Sequence, residues 1–336
     1  VSECIKNTRD SYLSAGGSLG YCALALFDEL LLDNLQREGA LMECERYGAK
    51  SDHGMDSKDR SLAFKELAKS FINNILLAMK FGSNVASNRF SRVLDLMADE
   101  DAGMDIPSYF KTQVIRYELE AWKFLKFVPL MMAFLNHDFL RMSLCELIVL
   151  IARKYPQAVY YDYRIAKESL NLSPNDKNLA LPLSRIFQGV PDLIPFADAI
   201  IDIATRTKAK NSKDYKVYAG KKILLENDFL LQLLHSSIEI PGQYRNLKTM
   251  PLPKEHATIA YIADTMLILK SMRVPKRLTF FGSDAKIYNF LVKSGEDLRN
   301  DQRVCYRISL LFLHSFFLGT NMYYTKINNC VGPAGF

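Results

Sequence analysis

Phe64, Leu67, Ala68, Phe71, Ile72, Ile75, Leu76 and Met79 fall at spacings of three and four residues. That period gathers them on one side of an α-helix, so this segment must bury a face against another helix. Trp122, Leu125, Pro129, Met132 and Leu135 form a second stripe. Leu144, Leu147, Ile148 and Ile151 form a third, ended at Tyr155-Pro156 because the residue before proline is pushed out of helical geometry. Gly82 and Asn84 act as stop signals after the first stripe, and a further helix is predicted from about Asn88. The helical period extends over residues 21–161. It predicts antiparallel helical hairpins of unequal length, stacked so that each covers its neighbour's stripe, as in a solenoid.

Residues 169–234 are less regular, and Pro174, Pro182, Pro191 and Pro195 divide them into short helices such as 196–205. A basic stretch follows, with Arg206, Lys208, Lys210, Lys213, Lys216, Lys221 and Lys222 against a single Asp214. The net charge of +6, from 43 Lys+Arg and 37 Asp+Glu, is concentrated there. Two readings stay open, a solvated connector or a nuclear-import or nucleic-acid patch; the aromatic interleaving of single-strand binders is missing. After Pro241 the period shortens toward two. Residues 259–269 read as one strand, 277–281 as a second and 288–292 as a third, with Gly282-Ser283-Asp284 turning between the last two. The fold class is mostly α: a helical-repeat array followed by a small antiparallel β-sheet, α+β overall.

The 336 residues are 49% hydrophobic and 24% charged, a globular balance that excludes a disordered tail or a disulfide-stapled miniprotein. Cys4, Cys22, Cys44, Cys145, Cys305 and Cys330 contain no CxxC pair, and the five histidines are dispersed, none in an arrangement of ligand spacing with Cys, Asp or Glu, so no metal site is predicted. Glu3, Lys6, Arg9 and Asp10 do not suit a secretory signal, which predicts an intracellular protein. The apolar run 308–318 is shorter than the roughly 20 residues of a membrane-spanning helix and reads as core or as a sequence artefact. Trp122 and Met131-Met132 read as core packing, and His137-Asp138 as a helix end.

Chemistry concentrates near the end of the sheet. Lys293 follows the apolar strand residues Phe290, Leu291 and Val292, so packing holds it where its ammonium can meet an anionic ligand. Glu296, three residues on, can pair with it and fix its direction. The turn containing Ser271, Met272 and Arg273 joins two strands and can lay backbone N–H groups over phosphates, although it lacks glycine. Taken alone, a lysine with a neighbouring carboxylate is more often an ordinary surface pair.

Longer strings are more specific. PGQY at 241–244, PKRL at 275–278 and FLVKSGEDLRNDQRV at 290–304 resemble the opening of the kinase domain in the phosphatidylinositol-3-kinase-related protein kinases. CALALFDELL at 22–31, residues 73–97, WKFLKFVPLMMAFLNHD at 122–138 and KYPQAVYYDYRIAKES at 154–169 resemble the late FAT helices of that family's double-strand-break-repair branch. The resemblance implies FAT-like repeats over 1–168, an irregular helical and basic connector over 169–238, the start of a kinase N-lobe over 239–304 and a divergent tail over 305–336. It also implies ATP and Mg²⁺ as cofactors, Lys293 on the phosphates with Glu296 as its ion-pair partner, and Ser271, Met272 and Arg273 in place of a glycine-rich loop. The expected setting is the nucleus, in non-homologous end joining, with the Ku heterodimer, DNA ends and protein substrates as partners and no membrane.

Val1 and the divergent tail predict a fragment of a longer kinase, and the tail reads as a gene-model artefact. The chain contains no Asp-Arg-His-x-x-Asn catalytic loop and no Asp-Phe-Gly motif, so it carries no catalytic residue of its own. The alternative reading is a non-catalytic helical scaffold. The 336-residue chain is expected to show no ATP-dependent phosphorylation above a Lys293→Ala control; a radiolabelled phosphate-transfer assay with Lys293-dependent turnover would refute this.

Overall fold

Helix α1 (Gly17–Arg46) and helix α2 (Ser57–Lys80) lie against each other in opposite directions. Tyr21 near the start of α1 stacks on Phe81 just past the end of α2, with ring centroids 5.9 Å apart, while Asp28 meets Ser70 and Asn74. Phe64, Ala68, Phe71, Ile72, Ile75, Leu76 and Met79 are buried as the period requires, and Leu67 sits half-buried at the flank. Each fully buried large side chain contributes about 1.5–3 kcal/mol, which makes this stripe the main reason the helix exists. The computed structural model describes residues 7–8, 10–12, 14, 16–46, 57–99, 102–169, 176–206, 208, 214–244, 247–272, 274–293 and 331–333.

A polar clamp sits inside the seam. Asp28 is fully buried and accepts hydrogen bonds from Ser70 Oγ at 2.7 Å and Asn74 Nδ2 at 3.0 Å. A carboxylate removed from water is tolerable only with such donors. Further out, Glu29 pairs with Arg89 and Asp33 with Arg92, both at 3.1 Å, joining α1 to the chain beyond α2.

Gly82 stops α2 with φ +83°, but Asn84 starts a helix instead of ending one. Ser83 Oγ accepts from the Ala86 N–H at 3.2 Å, caps α3 (Asn84–Asn88), and so moves the helix start upstream of the predicted Asn88. Helix α4 (Phe90–Ala98) and helix α5 (Ile106–Arg116) then close on an aromatic cluster. Phe90 lies 4.4 Å from Phe127, 5.5 Å from Phe124 and 6.1 Å from Phe110, ring centroid to centroid.

The predicted single stripe at 122–135 is broken into a 3₁₀ segment Ala121–Phe127, helix α6 (Val128–Ala133) and a second 3₁₀ turn Phe134–Asn136. Pro129 suits the first turn of α6 but could not sit inside a longer helix. Trp122 is only half-buried, its indole N–H donating to Glu120 at 2.8 Å, so it is not the core residue expected. Lys123 Nζ instead reaches the carbonyls of Met79 at 2.9 Å and Lys80 at 3.2 Å, capping α2; burial holds its pKa below the usual lysine range. Helix α7 (Asp138–Lys154) buries Leu144, Leu147, Ile148 and Ile151, and helix α8 (Pro156–Ser169) starts where the Tyr155-Pro156 pair predicts a break.

The chain divides into two compact units, Val1–Ile148 and Val149–Phe336. The second holds helix α9 (Ala180–Gln188), helix α10 (Leu193–Thr205), the short helix α11 (Asp228–Gln232) and a sheet. Its described strands are β1 (Lys222–Leu224), β2 (Ile259–Ile262), β3 (Thr265–Ile268), β4 (Lys276–Gly282), β5 (Ile287–Val292) and β6 (Val331–Pro333). Their order is β1-β3-β4-β5-β6, with β2 also on β4 and every pairing antiparallel. The predicted strand 259–269 is therefore two, because it is interrupted at Ala263-Asp264 while both halves stay on β4, and β2 itself shifts register between Ile259 and Tyr261. Strands β1 and β6 were invisible at three residues each, and β1 opens inside the basic stretch.

Along β4 burial alternates, so Leu278 and Phe280 face the core, where Phe280 meets Phe196 of α10 at 6.0 Å. Gly282 ends β4 where a Cβ would collide with the Asp284 side chain and come within 2.8 Å of the Tyr288 ring. Cys22 and Cys145 are buried in the core, and no described helix is long and apolar enough to cross a membrane. Residues 308–318 lie outside the described residues.

Asp28→Ala leaves the Ser70 and Asn74 donors facing an emptied site and is expected to cost about 1–3 kcal/mol. Phe90→Ala, which hollows the aromatic cluster, is expected to cost about 3–5 kcal/mol. Urea unfolding followed by helical circular dichroism measures both; losses below about 0.5 kcal/mol, the range of ordinary surface substitutions, would contradict these assignments.

Candidate functional site

The β4–β5 register builds the site. Val292 lies directly opposite Lys276, so Lys293, the next residue, emerges beside the turn that precedes β4. That turn is closed by the Leu269 N–H donating to the Pro275 carbonyl at 2.9 Å and the Val274 N–H donating to the Ser271 carbonyl at 3.1 Å. Ser271 and Met272 project into solvent, Met272 with 91% of its surface exposed. Three of the predicted site residues, Ser271, Met272 and Lys293, are thus gathered at one end of the sheet. Arg273 and Glu296 lie outside the described residues.

Strand alternation gives this end two unlike faces. Leu278, Phe280, Phe290 and Val292 are buried, whereas Leu267, Arg277 and Leu291 are half-exposed neighbours across β3, β4 and β5. Lys293 continues the half-exposed row of Asn289 and Leu291. Thr279 Oγ1 donates to Asn289 Oδ1 at 2.9 Å further along this face, and Tyr261 stacks on Phe281 at 4.2 Å beyond it. Apolar side chains with lysine at one end suit a flat, partly apolar ligand carrying negative charge.

The turn reaches its shape without glycine. Val274 sits at φ +49°, in the left-handed region that β-branched residues seldom enter. Such a conformation costs on the order of 1–3 kcal/mol and persists where the surroundings impose it. Here the imposed features are the Ser271 carbonyl bond and the proline that follows.

Lys276 was missed by sequence reasoning, which began the strand one residue later. It is 3% exposed and points to the core face with Leu278 and Phe280. Its Nζ donates to the carbonyls of Ala204 at 3.1 Å and Arg206 at 2.6 Å and lies 5.2 Å from the Tyr215 ring centroid. Tyr215 is buried, its hydroxyl has no hydrogen-bond partner among the described residues, and burial raises its pKa. The signal available was the period-two pattern itself, which places 276 on the same face as 278 and 280.

EIPGQY forms a clip that fixes the approach to β2. Glu239 accepts from Tyr244 Oη at 2.9 Å and contacts His256 Nδ1 at 2.9 Å, while its N–H donates to Gln157 Oε1 at 2.9 Å. Gln243 Nε2 donates to the carbonyls of Ile240 and Ala257, and its Oε1 accepts from the Ala257 N–H at 2.8 Å. Burial, then the adjacent Glu239 carboxylate, pushes the Tyr244 phenol well above its ordinary range. These residues are bound to one another, which makes the motif a structural fastening of the sheet.

A lysine ammonium and the amides of an exposed turn fit the phosphate groups of a nucleotide. Among the described residues no group of three or more His, Cys, Asp or Glu side chains is placed to hold a metal ion.

No protein-family model matches the chain. Over 105 residues it is 45% identical to a DNA-dependent protein kinase catalytic subunit from Gallus gallus, covering 31% of this chain and 2% of that protein. Over 75 residues it is 37% identical to a serine/threonine-protein kinase TOR from Oryza sativa subsp. japonica, covering 22% of this chain and 3% of that protein. The solved "FAT and kinase domain of CtTel1" shares its fold with a TM-score of 0.60 at 18% identity, over 94% of this chain and 25% of that one. The matched segment spans only about 2% of the length of the first of these curated relatives. Over part of its length the chain is therefore similar to the DNA-dependent protein kinase catalytic subunit and to other serine/threonine-protein kinases, and its helices followed by a small antiparallel sheet share the fold of a solved FAT and kinase domain.

Proposed function

We propose that this chain is part of a serine/threonine protein kinase and that its sheet holds the phosphates of ATP. The carrying observation is the pairing of Lys276 with Val292, which sets Lys293 beside the Ser271-Met272 turn. In this reading Lys293 contacts the phosphates, Glu296 pairs with its ammonium, and the backbone of Ser271, Met272 and Arg273 covers the phosphates where other kinases use glycines. Leu267 and Leu291 offer an apolar seat for the base. ATP supplies the phosphoryl group to be transferred, and Mg²⁺ would be held by residues of the longer protein. The domain division at 168, 238 and 304 belongs to this same reading.

The identity of 45% to a DNA-dependent protein kinase catalytic subunit, against 37% to a TOR kinase, favours a DNA-dependent enzyme. We infer a nuclear protein acting in non-homologous end joining with the Ku heterodimer and DNA ends. A second reading, a non-catalytic helical scaffold, draws on the absence of the catalytic-loop motif from these 336 residues.

Lys293→Ala is expected to weaken binding of the fluorescent nucleotide TNP-ATP to the chain about tenfold or more, a loss near 1.4 kcal/mol or above. Unchanged affinity would remove the nucleotide reading. Val274→Gly relieves the left-handed strain at the cost of a more flexible chain, so its unfolding midpoint should equal or exceed that of the parent. For the full-length kinase captured with an antibody to this chain, linear double-stranded DNA and Ku should raise peptide phosphorylation; indifference to DNA would favour the scaffold reading.

A further inference from the structure

We propose that Lys276 is the positioning residue for Lys293, tying the nucleotide end of the sheet to the C-terminus of helix α10. This inference rests on the nucleotide reading above. A lysine that is 3% exposed is costly unless its charge is satisfied. Here the ammonium donates to the carbonyls of Ala204 and Arg206, which lie at the C-terminal end of α10 (Leu193–Thr205). Helix ends leave such carbonyls without intrahelical partners, and the helix dipole favours a cation there. The Tyr215 ring, 5.2 Å away, adds a favourable face for the charge.

The tie has a direction. Lys276 and Val292 are opposite partners in the β4–β5 ladder, so what holds the first holds the main chain of the second. Lys293 leaves Val292 toward the other face of the sheet. Lys276 therefore anchors from below the strand pair whose upper side presents Lys293, and it also fixes the residue that follows the Val274-Pro275 end of the turn. The α10 end is itself braced, because Arg206 pairs with Asp202 at 2.5 Å and donates to the Glu226 carbonyl at 2.8 Å. Helix, turn and lysine strand then move as one piece, and the ammonium of Lys293 is aimed without any contact between the two lysines.

The test uses the 336-residue chain with TNP-ATP as the probe. Lys276→Met should weaken TNP-ATP binding about tenfold at a temperature where the variant is folded by circular dichroism. Amide hydrogen exchange should accelerate at residues 276–278 and 290–292 and stay unchanged at 280–282 and 287–288. Lys276→Arg, which can still donate to both carbonyls, should restore both readouts; a merely structural role would lower the unfolding midpoint without changing affinity of the folded protein. If Lys276→Met does not fold, Lys276→Gln, a shorter donor, replaces it with the same expectations at smaller size. Parental affinity in a folded Lys276 variant, while Lys293→Ala loses binding, overturns the positioning role. Parental affinity in Lys293→Ala overturns the nucleotide reading itself and this inference with it.

Discussion

Strand β4 is the constraint on which the sheet unit depends. It pairs with β5 on one side and with both β2 and β3 on the other, and its first residue carries the buried ammonium that seals helix α10. A central antiparallel strand must satisfy both edges along its length. The chain manages this by laying β2 and β3 end to end on that edge, and at the break between them the Ala263 N–H still donates to the Thr279 carbonyl at 2.9 Å. The same strand divides the sheet into a core face closed by Phe196 and a half-exposed face that ends at Lys293. Fold and candidate site are consequences of one alternation.

The helical unit solves its own problem differently. Its long apolar seam is registered by polar groups, above all Asp28 between Ser70 and Asn74. An apolar stripe alone tolerates sliding by a turn, whereas a buried carboxylate that must meet two particular donors does not. Lys123 on the carbonyls of Met79 and Lys80 repeats the device used by Lys276: a lysine from a distant part of the chain closes a helix end. Both caps were illegible in the sequence, since a lysine that caps a remote helix looks like any other lysine.

Legibility followed the strength of the period. The stripe at 64–79, the break at Tyr155-Pro156 and the strands around 277–281 and 288–292 were readable because burial imposes 3.6-residue or two-residue repeats on them. Residues 122–135 misled because Pro129 permits a helix to start but not to continue, and Ser83 out-competed Asn88 as a helix start by offering its hydroxyl to an N–H. Strands β1 and β6 were too short to show any period. Of the candidate site, Lys293 and the turn at Ser271 were visible as motif, while the left-handed Val274 and the buried Lys276 were not.

By itself the sequence determined which faces must be buried, where helices give way to strands, and which lysine ends an apolar strand, because these are local patterns of hydrophobicity and chain stiffness. Only the tertiary structure decided that Val292 stands opposite Lys276, that the turn and Lys293 share one end of the sheet, and that the helix α10 carbonyls receive a distant ammonium. The reason is physical: register and remote capping depend on pairing partners separated by tens of residues, and no local pattern specifies which partner satisfies a given backbone group.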